Sequence, residues 1–236
     1  MHELNWHPAR LPDRTPIVGE SVTLEPLDAS RHASRLYAAL AGADHLWDFL
    51  PYGPFDSERS FTAWIAANAA SADPLFYAIV DGASGEPLGV GSYLRIAREH
   101  GVIEIGHLLF TPRLQRTRQA TEAIYLWSRH AFADLGNRRL EWKCNALNAP
   151  SRRAAERFGF TFEGVFRQHM VVKGRNRDSA WYSITDGEWP ARRAAFEAWL
   201  SPDNFDSEGT QRRSLAELHA ETQAGPTGSE RSGGYY

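Results

Sequence analysis

The chain has 236 residues, 42% of them hydrophobic and 23% charged, and its 26 basic and 29 acidic side chains give a formal net charge of −3. This length can bury a hydrophobic core without disulfide bonds, and the single cysteine, Cys144, could not form one within the chain. The near-neutral charge argues against a dedicated nucleic-acid-binding protein. No apolar run approaches the roughly 18 residues of a membrane helix, and the N-terminus lacks the apolar segment of a signal peptide. We therefore expect a cytoplasmic protein with no nucleic-acid or membrane partner.

The first half of the chain changes from helical to strand periodicity. Residues 1–20 are rich in proline and polar residues and predict an irregular arm. The apolar spacing that follows predicts a strand at 22–26, helices at 30–41 and 57–70, and strands at 75–81, 88–97 and 102–110. An aromatic, turn-rich loop at 46–55 separates the two helices.

The second half mixes helices and strands without strict alternation. The pattern predicts a helix at 118–135 that Gly136 ends, a strand at 140–144, a helix at 150–158, a hairpin of 160–172 with 179–185, and helices at 189–200 and 211–221. This order indicates an α+β fold on a mostly antiparallel sheet. We expect one domain at 21–200, a helical extension at 201–223, and a disordered tail at 224–236.

One loop between a predicted strand and a predicted helix carries a chemical pattern. Residues 112–119 are led by proline, are mostly polar and basic, and open the helix. The first N–H groups of a helix lack intrahelical partners, and the helix dipole adds positive charge, so this position favours an anion such as a phosphate. Arg116 and Arg118 would add to the attraction. The alternative is that both arginines only solvate the start of the helix.

A second motif follows after the helix and the next strand. The sequence QRTRQATEA at 115–123 resembles the pyrophosphate loop of the Gcn5-related N-acetyltransferase (GNAT) superfamily, and NAPSRRAAERFGF at 148–160 resembles its second motif. The motifs stand in the family's order, and the correspondence covers about 22–189. Within the superfamily, the chain is similar to the branch that includes the ribosomal-protein N-terminal acetyltransferases.

The resemblance implies a fold and a co-substrate, acetyl-CoA. The strand at 102–110 would splay from the strand at 140–144, so that the sheet is splayed into a V. The pantetheine arm would pair with the open strand edge, and main-chain N–H groups of the loop would hold the pyrophosphate. The cofactor-binding residues that the resemblance implies are Leu108, Leu109, Phe110, Gln115, Arg116, Thr117, Arg118, Gln119, Ala120, Asn148 and Ser151. A helix cap is the alternative role for Asn148.

The chain departs from the family pattern at three positions. Arg116 and Arg118 replace glycines that permit close approach of the backbone to the phosphates. We expect their guanidinium groups to donate hydrogen bonds to the phosphates instead. Ala155 stands where many relatives have a tyrosine that protonates the leaving thiolate, so this acid is missing from its usual place.

Two residues are candidates for the chemistry of acetyl transfer. Glu104 stands where relatives often have a carboxylate that removes the amine's proton, and burial would raise its pKa usefully. Ser151 could assist the thiolate. The alternatives are an ordinary ion pair for Glu104 and helix capping for Ser151. Alternation puts His107 on the opposite face from Glu104 unless a bulge intervenes, and Cys144 is predicted to be a buried packing residue.

The amine acceptor would bind between the aromatic loop and the hairpin. Aromatic rings would line an apolar wall, an aspartate would meet a protonated amine, and two basic hairpin residues suggest an anionic or polar group on the acceptor. The candidate substrate-binding residues are Trp47, Asp48, Tyr52, Phe55, Arg167 and His169. Core packing is the alternative role for the aromatic ones.

These features together imply an acetyl-CoA-dependent N-acetyltransferase that acts, in a ternary complex, on a primary amine of a small molecule or a protein N-terminus. One alternative is a non-catalytic acyl-CoA-binding module with a degenerate scaffold, and another is an interaction protein that binds no cofactor. The nine scattered histidines predict no metal site. Two chains could pair as a homodimer through the hairpin or the C-terminal helices.

Overall fold

The structure is a computed structural model that describes residues 4–224. Its strands are β1 (Ile17–Val18), β2 (Val22–Pro26), β3 (Leu75–Asp81), β4 (Pro87–Ala97), β5 (Val102–Phe110), β6 (Arg139–Asn145), β7 (Thr161–Val172) and β8 (Arg175–Thr185). Its α-helices are α1 (Ala29–Ala39), α2 (Glu58–Ala69), α3 (Arg118–Arg129), α4 (Ala149–Arg157), α5 (Trp189–Leu200) and α6 (Leu215–Ala224). A π-helical turn, His130–Asp134, continues α3.

Most of the predicted elements between 22 and 200 are confirmed, with small differences at their ends. The hairpin is an exception, because β8 begins at Arg175 and not at 179. Lys173 and Gly174 have φ values of +49° and +72° and form a two-residue turn, which is the connection that suits the twist of paired strands. The predicted arm also contains β1, and the last helix begins at 215 and not at 211.

The domain boundaries at 21–200 and 201–223 stay a prediction. The predicted tail lies outside the described residues, apart from Ala224 at the end of α6.

The eight strands form one sheet in the order β1-β2-β3-β4-β5-β6-β8-β7. Neighbouring strands are antiparallel except for β5 and β6, which are parallel. That parallel ladder joins 102–105 to 139–142 and then stops, whereas β5 continues to Phe110 and β6 to Asn145. The mixed α+β fold is therefore confirmed, and we call the opening beyond the Ile105–Trp142 pair the V.

The sheet carries helices on both faces, and each face has its own hydrophobic core. On the α3 face, side chains such as Ile105 and Trp142 pack with α3, α4 and α5. On the α1–α2 face, Phe76 and Leu109 pack with Phe61 of α2 and its neighbours. Side chains alternate between these faces along each strand, so the face of a residue near the V decides which chemistry it can join.

The C-terminal helix α6 places a histidine in the core. His219 is buried, its ring lies 5.6 Å from that of Phe196, and neither of its nitrogens has a hydrogen-bond partner among the described residues. Burial, together with Arg192 and Arg157 nearby, lowers the pKa of His219 to about 4. The unfolded chain, with a histidine pKa near 6.5, therefore takes up this proton first as the pH falls.

We expect His219→Leu to flatten the loss of stability in acid. In the native chain, this histidine should remove about 2–3 kcal/mol of unfolding free energy between pH 6.5 and 4. Leucine has a similar volume and does not titrate, so this loss should disappear. Urea unfolding at a series of pH values measures it, with the exposed His45→Gln as the control. An acid dependence in His219→Leu as steep as that of the native chain would show that other groups cause it.

Candidate active site

The V leaves the edge of one strand without a neighbour. Residues 106–110 of β5 lie beyond the last pair with β6, while β4 still supports them from the other side through Gly89 and Val90. An open strand edge presents backbone N–H and C=O groups to whatever lies beside it. Leu108, Leu109 and Phe110, the predicted pantetheine contacts, are all on this stretch.

Two bulges in the β4–β5 pair change the faces that their side chains occupy. Arg95 has a φ of +47° and is the extra residue between the Leu94–Glu104 and Ala97–Val102 pairs. Its N–H donates to Oδ1 of Asp73 at 2.9 Å, which fixes the bulge. The Arg95 guanidinium consequently turns to Glu104, and its Nε donates to Oε2 at 2.7 Å.

The second bulge is at His107, which has a φ of +52°. One extra residue lies between the Ser92–Gly106 and Val90–Leu109 pairs, so His107 joins the α1–α2 face. Its ring lies 5.1 Å from that of Phe76, and its Nδ1 is 2.9 Å from the Tyr52 hydroxyl. His107 therefore shares a face with Glu104, which strand alternation alone would not give.

Glu104 is buried at the base of the V. Both of its hydrogen bonds with Arg95 use Oε2, and Oε1 lies 3.4 Å from the place that a Cβ on Gly106 would occupy. Burial raises the pKa of Glu104, and the nearby charges of Arg95 and Lys143 only partly offset this effect. The carboxylate therefore forms the ion pair considered for it and still presents one oxygen beside the open strand, so the role as a general base stays a prediction.

The opposite arm of the V adds a lysine. Lys143 is the first β6 residue beyond the last β5–β6 pair, and it shares the α1–α2 face with Glu104. Its Nζ lies 5.0 Å from the ring centroid of Trp181 on β8. Burial lowers the pKa of Lys143 to about 8, with Arg95 and Arg177 also disfavouring its charge.

The predicted pyrophosphate loop opens α3 as expected. Thr117 caps the helix, and its Oγ1 accepts the N–H of Ala120 at 3.1 Å. The other first-turn N–H groups of a helix have no intrahelical partner. Arg116 has a φ of +61°, so an arginine occupies a left-handed conformation that usually favours glycine. Its side chain is exposed, and a cavity of about 460 Å³ lies beside it.

Three side chains of this loop point elsewhere. The Arg118 guanidinium donates to the Leu200 carbonyl and stacks on Phe205 at 5.1 Å. Contrary to our expectation, it is therefore not directed at a phosphate. The Gln119 amide donates to Asp81 at 2.8 Å, and the Gln115 amide to the Phe110 carbonyl at 3.0 Å. The backbone N–H groups of Arg118 and Gln119, and the Arg116 side chain, remain as candidates for binding phosphate, whereas the Gln115 N–H already donates to the Thr111 carbonyl at 3.2 Å.

The start of α4 faces the other arm of the V. The Asn148 side chain caps α4 by accepting the Ser151 N–H at 3.1 Å, which is the alternative role considered for it. The Ser151 hydroxyl accepts from the Trp142 indole at 3.0 Å, on the α3 face and therefore away from Glu104. Cys144 is buried next to it, in agreement with a packing role, and burial raises the pKa of its thiol.

Contrary to expectation, the aromatic rings of the loop at 46–55 pack largely in the core and do not form an exposed wall for the acceptor. Trp47 is only 3% exposed and packs in the core with Phe55, at 5.4 Å between ring centroids. Tyr52 reaches the V through its hydroxyl, which contacts His107, and burial raises the pKa of Tyr52 above its usual range. Asp48 is exposed at the rim of this loop. Of the predicted aromatic wall, Tyr52 is therefore the residue that contacts a side chain of the V, through His107.

The hairpin closes over the α1–α2 face. At its tip, Lys173 donates to the Trp47 carbonyl at 2.9 Å, which joins the hairpin to the aromatic loop. His169 lies on a third bulge, and its Nδ1 is 2.9 Å from the Ser179 hydroxyl, with Trp181 5.9 Å away between rings. Arg167 is exposed on the same bulge. His169 thus lies beside the V.

The structure adds Lys143, Arg95 and Arg177, which the sequence did not single out, and its bulge places His107, which the sequence did, on the same face as Glu104. Lys143 could have been found, since alternation in LEWKC places it opposite Trp142 and Cys144. Arg95 and His107 could not be placed by alternation, because each is the extra residue of a bulge. Arg177 joins them from β8, in the part of that strand that precedes the start predicted at 179.

The described residues contain no cluster of three or more histidine, cysteine or acidic side chains that could hold a metal ion. In the same part of the chain, no helix combines the length and apolar character needed to span a membrane.

Comparison with known families agrees with this geometry. The family model for the acetyltransferase (GNAT) domain matches residues 21–161. The chain therefore belongs to the GNAT acetyltransferase family.

Solved structures give the same result. A GCN5-related N-acetyltransferase from Brucella melitensis is 48% identical, with a TM-score of 0.89 over 92% of this chain and 99% of that one. A probable acetyltransferase of the GNAT family from Chromobacterium violaceum is 47% identical, with a TM-score of 0.76 over 81% and 96%. The microcin C7 self-immunity acetyltransferase MccE, in complex with acetyl-CoA and AMP, shares the fold at 21% identity, with a TM-score of 0.63 over 71% and 93%. No curated protein sequence matches the chain.

Proposed function

We propose that the chain is an acetyl-CoA-dependent N-acetyltransferase. It moves the acetyl group to a primary amine of a small molecule or of a protein N-terminus, by direct attack while both substrates are bound. The observation that carries this proposal is the open edge of β5 at 106–110, which begins beside the free oxygen of the buried Glu104. A strand edge and a carboxylate thus meet at one point, on the face where the acceptor would bind.

The donor side of the V suits acetyl-CoA. The backbone of 108–110 can pair with the amide groups of a pantetheine arm, and the first turn of α3 offers N–H groups to a pyrophosphate. Arg116 adds an exposed positive charge at the same place. The complex of MccE with acetyl-CoA, on the same fold, supports this choice of donor.

The proposed chemistry divides between the two arms. Bound acetyl-CoA supplies a thioester whose carbonyl carbon is open to attack. Glu104 accepts the proton of the attacking amine, directly or through water, and its raised pKa suits that task. The N–H of Phe110 faces away from β4, because the Thr111 N–H next to it donates to Leu88 of that strand. It donates to the carbonyl oxygen as negative charge develops there. Ser151 is the candidate that assists the thiolate from α4.

The alternative is an acyl-CoA-binding module without turnover. Ala155 is fully buried and offers no acid for the thiolate, which favours this reading. The N-terminal acetyltransferase branch that the motifs resemble supports the enzyme, and leaves both small amines and protein N-termini as acceptors. We expect the enzyme to be cytoplasmic.

Calorimetric titration with acetyl-CoA, free CoA and dephospho-CoA tests the first step. We expect saturable binding of acetyl-CoA, followed by thiol release when a panel of amines is added. Binding without thiol release from any amine or peptide N-terminus would support the binding module. No binding at millimolar acetyl-CoA would contradict both functions.

Pairing of two chains through the hairpin has a separate readout. β7 is the edge strand of the sheet, and Phe166 and Val171 are exposed on it. The molecular mass in solution, measured by light scattering, distinguishes one chain from two.

A further inference from the structure

Three cationic side chains gather on the α1–α2 face of the V. Arg95 comes from β4, Lys143 from β6 and Arg177 from β8. Arg95 forms its ion pair with Glu104. Lys143 and Arg177 have no ion-pair partner within residues 4–224, although the charge of Glu104 acts on each of them.

The neighbouring groups do not neutralise these two charges. Glu141 is the next carboxylate, but Arg139 holds it at 2.6 Å and also pairs with Glu163. Burial and the three cations lower the pKa of His107 to about 4 and lower that of His169 as well. The two carboxylates nearest to Lys143 and Arg177, Glu104 and Glu141, thus each pair with an arginine of their own.

Two unused hydrogen-bond donors lie among these side chains. The Nε of Arg177 and the Nε1 of Trp181 are buried atoms without an acceptor in the described part of the chain. The Trp181 ring lies between Lys143, at 5.0 Å, and the Cζ of Arg95, at 5.9 Å. Buried donors almost always have a partner, and an oxyanion would supply acceptors to both donors and charge to both cations.

The cluster of Lys143, Arg177 and Trp181 lies close to the place proposed for the chemistry. Lys143 stands where β6 leaves β5, on the same face as Glu104. The hairpin that carries Arg177 and Trp181 forms the wall opposite the aromatic loop, to which Lys173 joins it. A group bound here lies on the acceptor side of the V, because the donor's loop is at the start of α3.

We propose that Lys143 and Arg177, beside Trp181, bind an anionic group of the acceptor, so that the preferred substrates are amines that also carry a carboxylate or a phosphate. The inference rests on the proposed function for the place of the acceptor. Arg167, which we expected to have this role, is exposed on β7, whereas Arg177 is half-buried on β8 and contributes to the charge around Glu104.

Calorimetric binding of matched amines, in the presence of CoA, tests the proposal without turnover. The probes are phenylalanine against phenethylamine, which differ by a carboxylate, and phosphoethanolamine against ethanolamine, which differ by a phosphate. We expect the anionic member of at least one pair to bind about tenfold more tightly, the equivalent of one charge-assisted hydrogen bond. The pair that shows the preference identifies which anion the site takes.

Variants then assign the preference to these residues. Lys143→Met and Arg177→Gln should each lower it about tenfold, and Lys143→Arg, which keeps the charge, should restore most of it. Arg175→Gln, an exposed arginine two positions earlier on β8, should leave it intact. Circular dichroism checks that each variant is folded.

The opposing results are distinct. Equal binding within both pairs, including no measurable binding of any probe, would overturn the proposal, as would a preference that survives both Lys143→Met and Arg177→Gln. Thiol release is measured in parallel on the same amines. If the preference and its loss in the variants are seen but no amine is acetylated, the anion site stands and the proposed transferase function fails.

Discussion

Glu104→Gln should lower kcat by about 10²- to 10⁴-fold, the usual contribution of a positioned general base. Glutamine has the same shape and can still accept a hydrogen bond from Arg95, so the bulge and the fold should persist. It cannot take the proton of the amine. Because the open edge of β5 and the α3 loop are unchanged, the affinity for acetyl-CoA should stay within about twofold, which separates loss of chemistry from loss of donor binding.

Glu141→Gln is the matched control for this variant. Glu141 is the register partner of Glu104 on β6, and it has an arginine partner of its own, Arg139. We expect its kcat to resemble that of the native chain. For both variants, thiol release measures kcat and calorimetry measures the affinity for acetyl-CoA. If Glu104→Gln turns over as fast as Glu141→Gln, Glu104 is only the structural partner of Arg95.

Arg116→Glu should weaken acetyl-CoA binding by about 10- to 30-fold at low salt. The change reverses an exposed charge at the α3 loop, where two phosphates would lie, and such interactions at a surface amount to about 1–2 kcal/mol. Added salt should reduce the difference, because exposed charges are screened. The backbone at φ +61° is equally unusual for either side chain, so the strain of the loop hardly changes.

Arg129→Glu changes the net charge by the same amount at the other end of α3. Calorimetric titration of both variants with acetyl-CoA, at two salt concentrations, gives the comparison. Equal affinities for the two variants would mean that Arg116 does not contact the phosphates. Arg116→Gly is a useful third variant, since glycine tolerates this conformation and should raise the unfolding free energy by about 1 kcal/mol.

Regular periodicity made much of the fold predictable. Alternating apolar residues in 75–81 and 102–110, and the helical spacing after 118, gave strands and a helix with nearly the observed ends. The V itself came from the resemblance to the GNAT family and not from spacing. Apolar alternation does not reveal where a parallel ladder stops, because both strands continue as strands beyond that point.

The candidate site was less predictable for two reasons. Backbone-mediated features, such as the helix start at Thr117, follow from local sequence. Side-chain directions do not: Arg118 turns to the Leu200 carbonyl of a distant helix, and Trp47 turns into the core. The bulges at Arg95 and His107 depend on contacts such as the one with Asp73, which lies 22 residues before Arg95.

The two bulges also determine how this site could be gained or lost in evolution. At each bulge, two residues of one strand lie opposite a single residue of its partner. The residue pairs on both sides would stay in register if the extra residue were removed. Deleting Arg95 or His107 would thus leave a regular ladder and every other strand position on its original face. The chain would keep its sheet and lose one inward group. In an alignment of relatives, a single-residue gap at 95 would mark a protein that lacks the partner of Glu104, a difference that comparison of substituted residues alone would not detect.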